Sequence, residues 1–327
     1  MHREKNHDIQ AFAAPIGSAQ NTINLREVFM VKIKTEKEKN IYRKYLLLFI
    51  SISFGILWLL IILPYVLFSD FMVSRFGELD GNNPLAMIGL NSPAIPCLLI
   101  YLIYGGPRGL GNFLRTLIPR RKDLLWIPII LSVTALCSVS VRYILILFNL
   151  YVPEITMQPM EMLVVFLSNF WGETGMIGIG IGFYGFVLPY FQRKYKNNVK
   201  AGAMTGLLLG LLFFPSAPDI ATCLLYVVQH IIFSVCISYI LNDVGGNVLF
   251  YMLAMWVAGA GGKLGLYEFN ISVQIVEILL YCVLFAILHF VFKSRNANKP
   301  VEEILQVFPD FIENRSYPKN KNSIVGA

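Results

Sequence analysis

Tyr45-Leu-Leu-Leu-Phe-Ile-Ser-Ile-Ser-Phe-Gly-Ile-Leu-Trp-Leu-Leu-Ile-Ile-Leu-Pro-Tyr-Val-Leu-Phe68 runs without a single charged residue. As an α-helix rising about 1.5 Å per residue it extends roughly 36 Å, enough to cross about 30 Å of hydrocarbon. In lipid such a run must be a helix, because a helix satisfies its own backbone hydrogen bonds. Seven more apolar stretches follow, and the spans read as approximately 45–68, 85–104, 124–150, 162–188, 201–217, 220–241, 247–267 and 271–292. The fold class is therefore all-α, a polytopic membrane bundle of about eight transmembrane helices. Pro93 and Pro96 predict a kinked or late-starting second span.

Composition agrees. Of 327 residues 56% are hydrophobic and only 14% charged, with a mean hydropathy of +0.61. One soluble core of this length could not hide that much apolar surface. The net charge of +7 raises a nucleic-acid reading, but the basic residues follow topology instead. With the N-terminus inside, 24 of the 27 Lys and Arg residues fall on the cytoplasmic side. Only Arg75 and Lys263 fall outside, and Arg142 lies within a span. Both termini are then cytoplasmic and the expected location is the cell membrane.

Residues 1–43 read as a disordered basic tail, 44–292 as the transmembrane domain and 293–327 as a second basic tail with an amphipathic patch at 301–312. Cys97, Cys137, Cys223, Cys236 and Cys282 lie inside apolar runs without metal-site spacing, and read as packing residues.

Several short segments in order resemble one family. They are Asn91-Ser-Pro-Ala-Ile-Pro, Gly105-Gly-Pro-Arg-Gly-Leu-Gly-Asn-Phe-Leu-Arg before a Trp126-bearing helix, and Gly182-Phe-Tyr-Gly-Phe-Val-Leu-Pro-Tyr-Phe-Gln192. Gly206-Leu-Leu-Leu-Gly-Leu-Leu-Phe-Phe-Pro215 and Asn242-Asp-Val-Gly-Gly-Asn-Val-Leu follow. Across residues 85–260 this succession resembles the CPBP family, the intramembrane CAAX proteases and bacteriocin-processing proteins. The resemblance places the family's two glutamates at Ile179 and Gly180, its arginine at Tyr184, its first histidine at Phe213, and its second histidine with its partner at Met255 and Gly259. Hydrolysing a peptide within a membrane needs a polarised water, with carboxylates as base and imidazoles to ligate metal or pass protons. Apart from the titratable hydroxyl of Tyr184, the residues at these positions are apolar, so the resemblance implies the scaffold without the catalytic centre.

Ionisable groups inside spans are functional candidates by default. Glu173 precedes Gly180 by seven residues on the same helical face, about 10.5 Å away. It reads either as a relocated carboxylate or as the ion-pair partner of Arg142. His230 reads as a metal ligand, as a proton relay, or as a residue hydrogen-bonded to a neighbouring helix. His289 and Glu277 lie outside the catalytic helices of the resemblance, and Asp219 fits a helix N-cap. Gly202, Gly206 and Gly210 form a ridge for close helix approach, and five glycines between Gly175 and Gly185 suit close packing or a hinge.

Three functions compete. The first is a degenerate CPBP-like protein, a pseudoprotease acting as scaffold, regulator or immunity-type factor for a membrane peptide or protein, without cofactor. The second is an active CAAX-type endopeptidase with catalysis relocated to Glu173 and His230, the one case that calls for zinc. The third is a transporter component. Beyond the bilayer and a membrane peptide or protein no partner is expected, and nucleic acid is excluded by the charge distribution.

Overall fold

The computed structural model describes residues 42–79, 83–172, 176–214, 219–297, 299 and 304–305. Among them every regular element is a helix. The first, α1, covers Tyr42–Leu67 and widens into π-type turns over Gly55–Ile62. After it come α2 (Ser69–Phe76), α3 (Pro84–Asn91), α4 (Ala94–Arg115), α5 (Trp126–Leu147) and α6 (Pro159–Gly172). Residues 176–195 form α7, with π-type turns over Gly180–Val187. Then come α8 (Asn198–Phe213), α9 (Ile220–Asp243), α10 (Leu249–Lys263) and α11 (Ile271–Arg295).

Polar residues start several of these helices. Asn83, Asn197, Asp219 and Asn270 each accept a backbone N–H of the following first turn, the standard relief for the unpaired donors there. Asp219 serves as the expected cap: it takes the Thr222 hydroxyl at 2.6 Å and its N–H at 2.9 Å. These bonds, the hydroxyl's first, hold its carboxyl below the usual aspartate range.

Four helices are long and apolar enough to cross a membrane: α1, α9, α11, and α5 together with the turn before it, as Arg121–Leu147. A fifth is counted if α3 and α4, bent by 41°, make one span. That bend lies where Pro93 and Pro96 predict a kink. The expected span 162–188 holds α6 and α7, and residues 173–175 between them lie outside the described residues. Helices α8 and α10, at 16 and 15 residues, are shorter than a perpendicular span needs.

Where soluble proteins turn polar groups outward, these helices turn out apolar ones. On α11 the buried side chains are Val273, Gln274 and Val276, while Leu279 is 60% and Phe290 71% exposed. An exterior of that kind suits lipid.

The centre of the fold is α7, whose residues 178–192 are all buried. The Tyr101 hydroxyl of α4 donates to the Gly185 carbonyl at 3.2 Å, tying α4 to the π-type turns of α7. Further along, α4 breaks at Gly106 (φ 66°, ψ −173°), before Pro107. That left-handed φ is one that glycine adopts readily, and it turns the basic segment away from the apolar half. Helices α8 and α9 touch along Gly202, Gly206 and Gly210. A Cβ on Gly206 would stand 2.2 Å from the His230 carbonyl oxygen, so the ridge packs closely as expected. The glycines of α7 do likewise: a Cβ on Gly182 would meet Pro93 at 2.5 Å.

Candidate functional site

Of the positions singled out by the resemblance, Tyr184 has no exposed surface. Its hydroxyl lies 2.7 Å from Ser234 Oγ on α9, and its ring rests 4.3 Å from that of Tyr251 on α10. One turn earlier Gly180 faces the same helix, and a Cβ there would meet Tyr251 and Met252 at 3.1 Å. Ile179 is 4% exposed. Three helices therefore meet at Tyr184 through an aromatic pair and a hydroxyl pair. This hydroxyl pair satisfies itself, so the burial leaves no polar group bare. Met255 and Gly259 follow on α10, and both are half-buried.

Phe213, at the last turn of α8, has a different neighbour. Its ring centroid lies 5.8 Å from that of His230, which packs in turn, tilted, at 4.3 Å against Tyr226. The His230 Nδ1 atom is 2.9 Å from the Tyr226 carbonyl, one turn back on its own helix. That bond fixes the ring and directs it toward Phe213. Imidazole thus sits beside the position where the resemblance puts a histidine, but it is carried by α9 and tied to its own backbone.

Glu173 lies outside the described residues. Arg142, its expected partner, sends Nη1 to three backbone carbonyls: Pro153 at 3.0 Å, Gly265 at 3.1 Å and Leu266 at 3.1 Å. This guanidinium pins the loop after α5 to the turn after α10. The nearby apolar cluster of Val141, Leu145, Tyr267, Val273 and Val276 is dry enough to make such carbonyls costly without a donor.

A second polar feature escaped the sequence reading: a ladder between α9 and α11. Gln274 Nε2 donates to the Thr222 carbonyl at 3.5 Å, and Gln229 Nε2 to Glu277 Oε2 at 2.5 Å. Further along, Tyr239 meets His289 Nδ1 at 2.8 Å, and Arg295 meets Asp243 at 2.7 Å. His289 therefore packs on α9 through the Tyr239 hydroxyl. The available signal was spacing: Gln274, Glu277 and Tyr281 lie three and four residues apart on one face of an otherwise apolar helix. Among the described residues no group of three His, Cys, Asp or Glu side chains is placed to hold a metal ion.

No family model, no curated protein and no solved structure matches this chain.

Proposed function

We propose that this chain is an eight-span membrane protein of CPBP-like architecture, with both termini cytoplasmic, whose proteolytic centre is closed. It acts as a scaffold, regulator or immunity-type factor that binds a membrane peptide or protein. The observation that carries this reading is Tyr184, fully buried, bonded to Ser234 and packed ring to ring against Tyr251. It occupies the place of a catalytic arginine in the resemblance with a side chain that holds helices together. A water poised for attack needs room and a base, and around Tyr184 and Gly180 the side chains of Tyr251, Met252 and Ser234 take up the space.

The test is cleavage. Membranes carrying this chain and a prenylated CAAX-type reporter are expected to release no product above empty membranes. Product that disappears in Glu173→Ala would overturn the reading.

A second reading has one observation behind it, the placement of His230 beside Phe213. In it the protease is active, Glu173 and His230 supply base and ligand, and zinc is the metal. His230→Ala would then abolish cleavage, while Phe213→Leu would not.

A further inference from the structure

Glu277 belongs to neither reading, and its surroundings point to a ligand. It sits two turns into α11. Gln229 of α9 donates to its carboxyl at 2.5 Å, and the Tyr267 hydroxyl reaches it from the segment before α11. The carboxyl lines a small cavity with room for about one water. Thr134, Cys137 and Ser138 of α5, Ala258 of α10 and Tyr281 of α11 form its walls.

These neighbours carry no positive charge. Among the described residues no Lys, Arg or His is bonded to Glu277. On α5 the single basic residue, Arg142, donates to three carbonyls. His230 of α9 is bonded to Tyr226, and His289 of α11 to Tyr239. On α10 the one cation, Lys263, stands exposed at the helix end. A carboxylate in apolar surroundings without a counter-charge is strongly disfavoured, so something must neutralise it.

The cluster also presents oxygens that nothing uses. Gln229 is 8% exposed and Gln274 0%, and the Oε1 atom of each has no partner. Because Gln229 Nε2 touches the carboxyl, its Oε1 lies within about 5 Å of Glu277 by amide bond lengths alone. Gln274 precedes Glu277 by one turn on the same face. The cavity itself is lined by the Glu277 carboxyl together with Thr134 and Ser138, oxygen-bearing side chains of the kind that hard cations take.

We propose that the pocket between α5, α10 and α11 is an intramembrane site for a small monovalent cation, a proton or a sodium ion, bound at Glu277. With the cation in place the carboxyl is neutral, and the bond to Gln229 closes the seam.

A hydrophobic carbodiimide, which attacks protonated carboxyls in apolar sites, reads its occupancy directly. The full-length protein in detergent is treated in potassium buffer, and the peptide carrying Glu277 is weighed. Modification of Glu277 is expected near pH 6 and falls about tenfold per pH unit above its midpoint. It is absent in Glu277→Gln, which keeps a side chain able to bond Gln229. Protection by about 100 mM sodium at fixed pH identifies sodium as the occupant, and indifference to sodium identifies the proton. Two results overturn the site: no modification of Glu277 anywhere between about pH 5 and 9, or modification that responds to neither pH nor sodium. A melting temperature in Glu277→Gln that has lost the wild type's dependence on pH or sodium is the second expected readout, and an unchanged dependence counts against the site. None of these outcomes bears on cleavage, which tests the scaffold reading separately.

Discussion

Gly206→Ala adds a single methyl where α8 and α9 are closest. The new carbon would stand 2.2 Å from the His230 oxygen and 2.6 Å from Ile231 Cα, whereas carbon contacts are most favourable at about 3.5–4.0 Å. Both partners are backbone, so no side chain can swing aside, and α9 must retreat by about 1 Å. Its neighbours on the ridge feel the retreat, because Gly202 and Gly210 hold Val235 Cα and Val227 Cα at 2.8 and 2.7 Å from their own Cβ positions. A gap of 0.5–1 Å forfeits roughly a quarter to a half of each dispersion contact. Overpacking of this kind costs about 1–3 kcal/mol, offset by about 0.5–1 kcal/mol from replacing a helical glycine. The expected net loss is about 1–2 kcal/mol. Gly111→Ala is the matched control, since a Cβ there meets nothing within 4 Å, and it should be stabilising by about 0.5–1 kcal/mol. Unfolding by SDS in mixed micelles, followed by tryptophan fluorescence, compares the two. Trp58 is a local reporter because its Nε1 donates to Leu212 on α8 at 2.8 Å. If both variants unfold at the same SDS fraction, the close approach and the argument built on it are wrong.

Arg142→Ala should cost about 2–3 kcal/mol, because three carbonyls lose one shared charged donor, and Arg142→Lys should recover only part, lacking the planar fork; the same SDS titration reads both. Asn83→Ala removes the cap of α3 and the bonds to the Tyr65 hydroxyl and to the Phe76, Gly77 and Glu78 carbonyls. A loss of about 1–2 kcal/mol is expected, and faster proteolysis of the 77–83 segment would show it. Trp256→Phe keeps an aromatic ring near Phe166 but removes the donor to the Phe166 carbonyl. It should cost about 1 kcal/mol, with hydrogen exchange rising in α6 before any other helix.

Helices α1, α5, α9 and α11 were readable because their apolar runs are long and end at charges or caps. The end of α10 was not, because Leu264, Leu266 and Tyr267 continue the apolar run beyond Lys263, where the helix stops. Arg142 shows a second limit. Among the described residues its bonds include carbonyls of residues 265 and 266, more than 120 positions away in the chain. A linear reading has no means of placing a returning turn there. At the candidate site, the residue types were legible position by position, whereas the contacts they make were not. Ser234 and Tyr251 carry no motif, and only the crossing of α7 with α9 and α10 brings them to Tyr184. Glu277 was visible as a charge in an apolar helix but had no meaning until α9 supplied Gln229 and α5 supplied the cavity walls.

The bonds between α6 and α10 are mutual: Trp256 donates to the Phe166 carbonyl, and Asn169 donates to the Trp256 carbonyl. The second pair is separated by 87 positions. A ribosome adding about 5–20 residues per second needs roughly 4–17 s to make the later partner after the earlier one has emerged. During that interval the Asn169 amide has no Trp256 carbonyl to donate to, and some other group must hold it until α10 is made. The order of synthesis thus gives this protein a waiting step, set by the spacing of two residues rather than by the speed of folding.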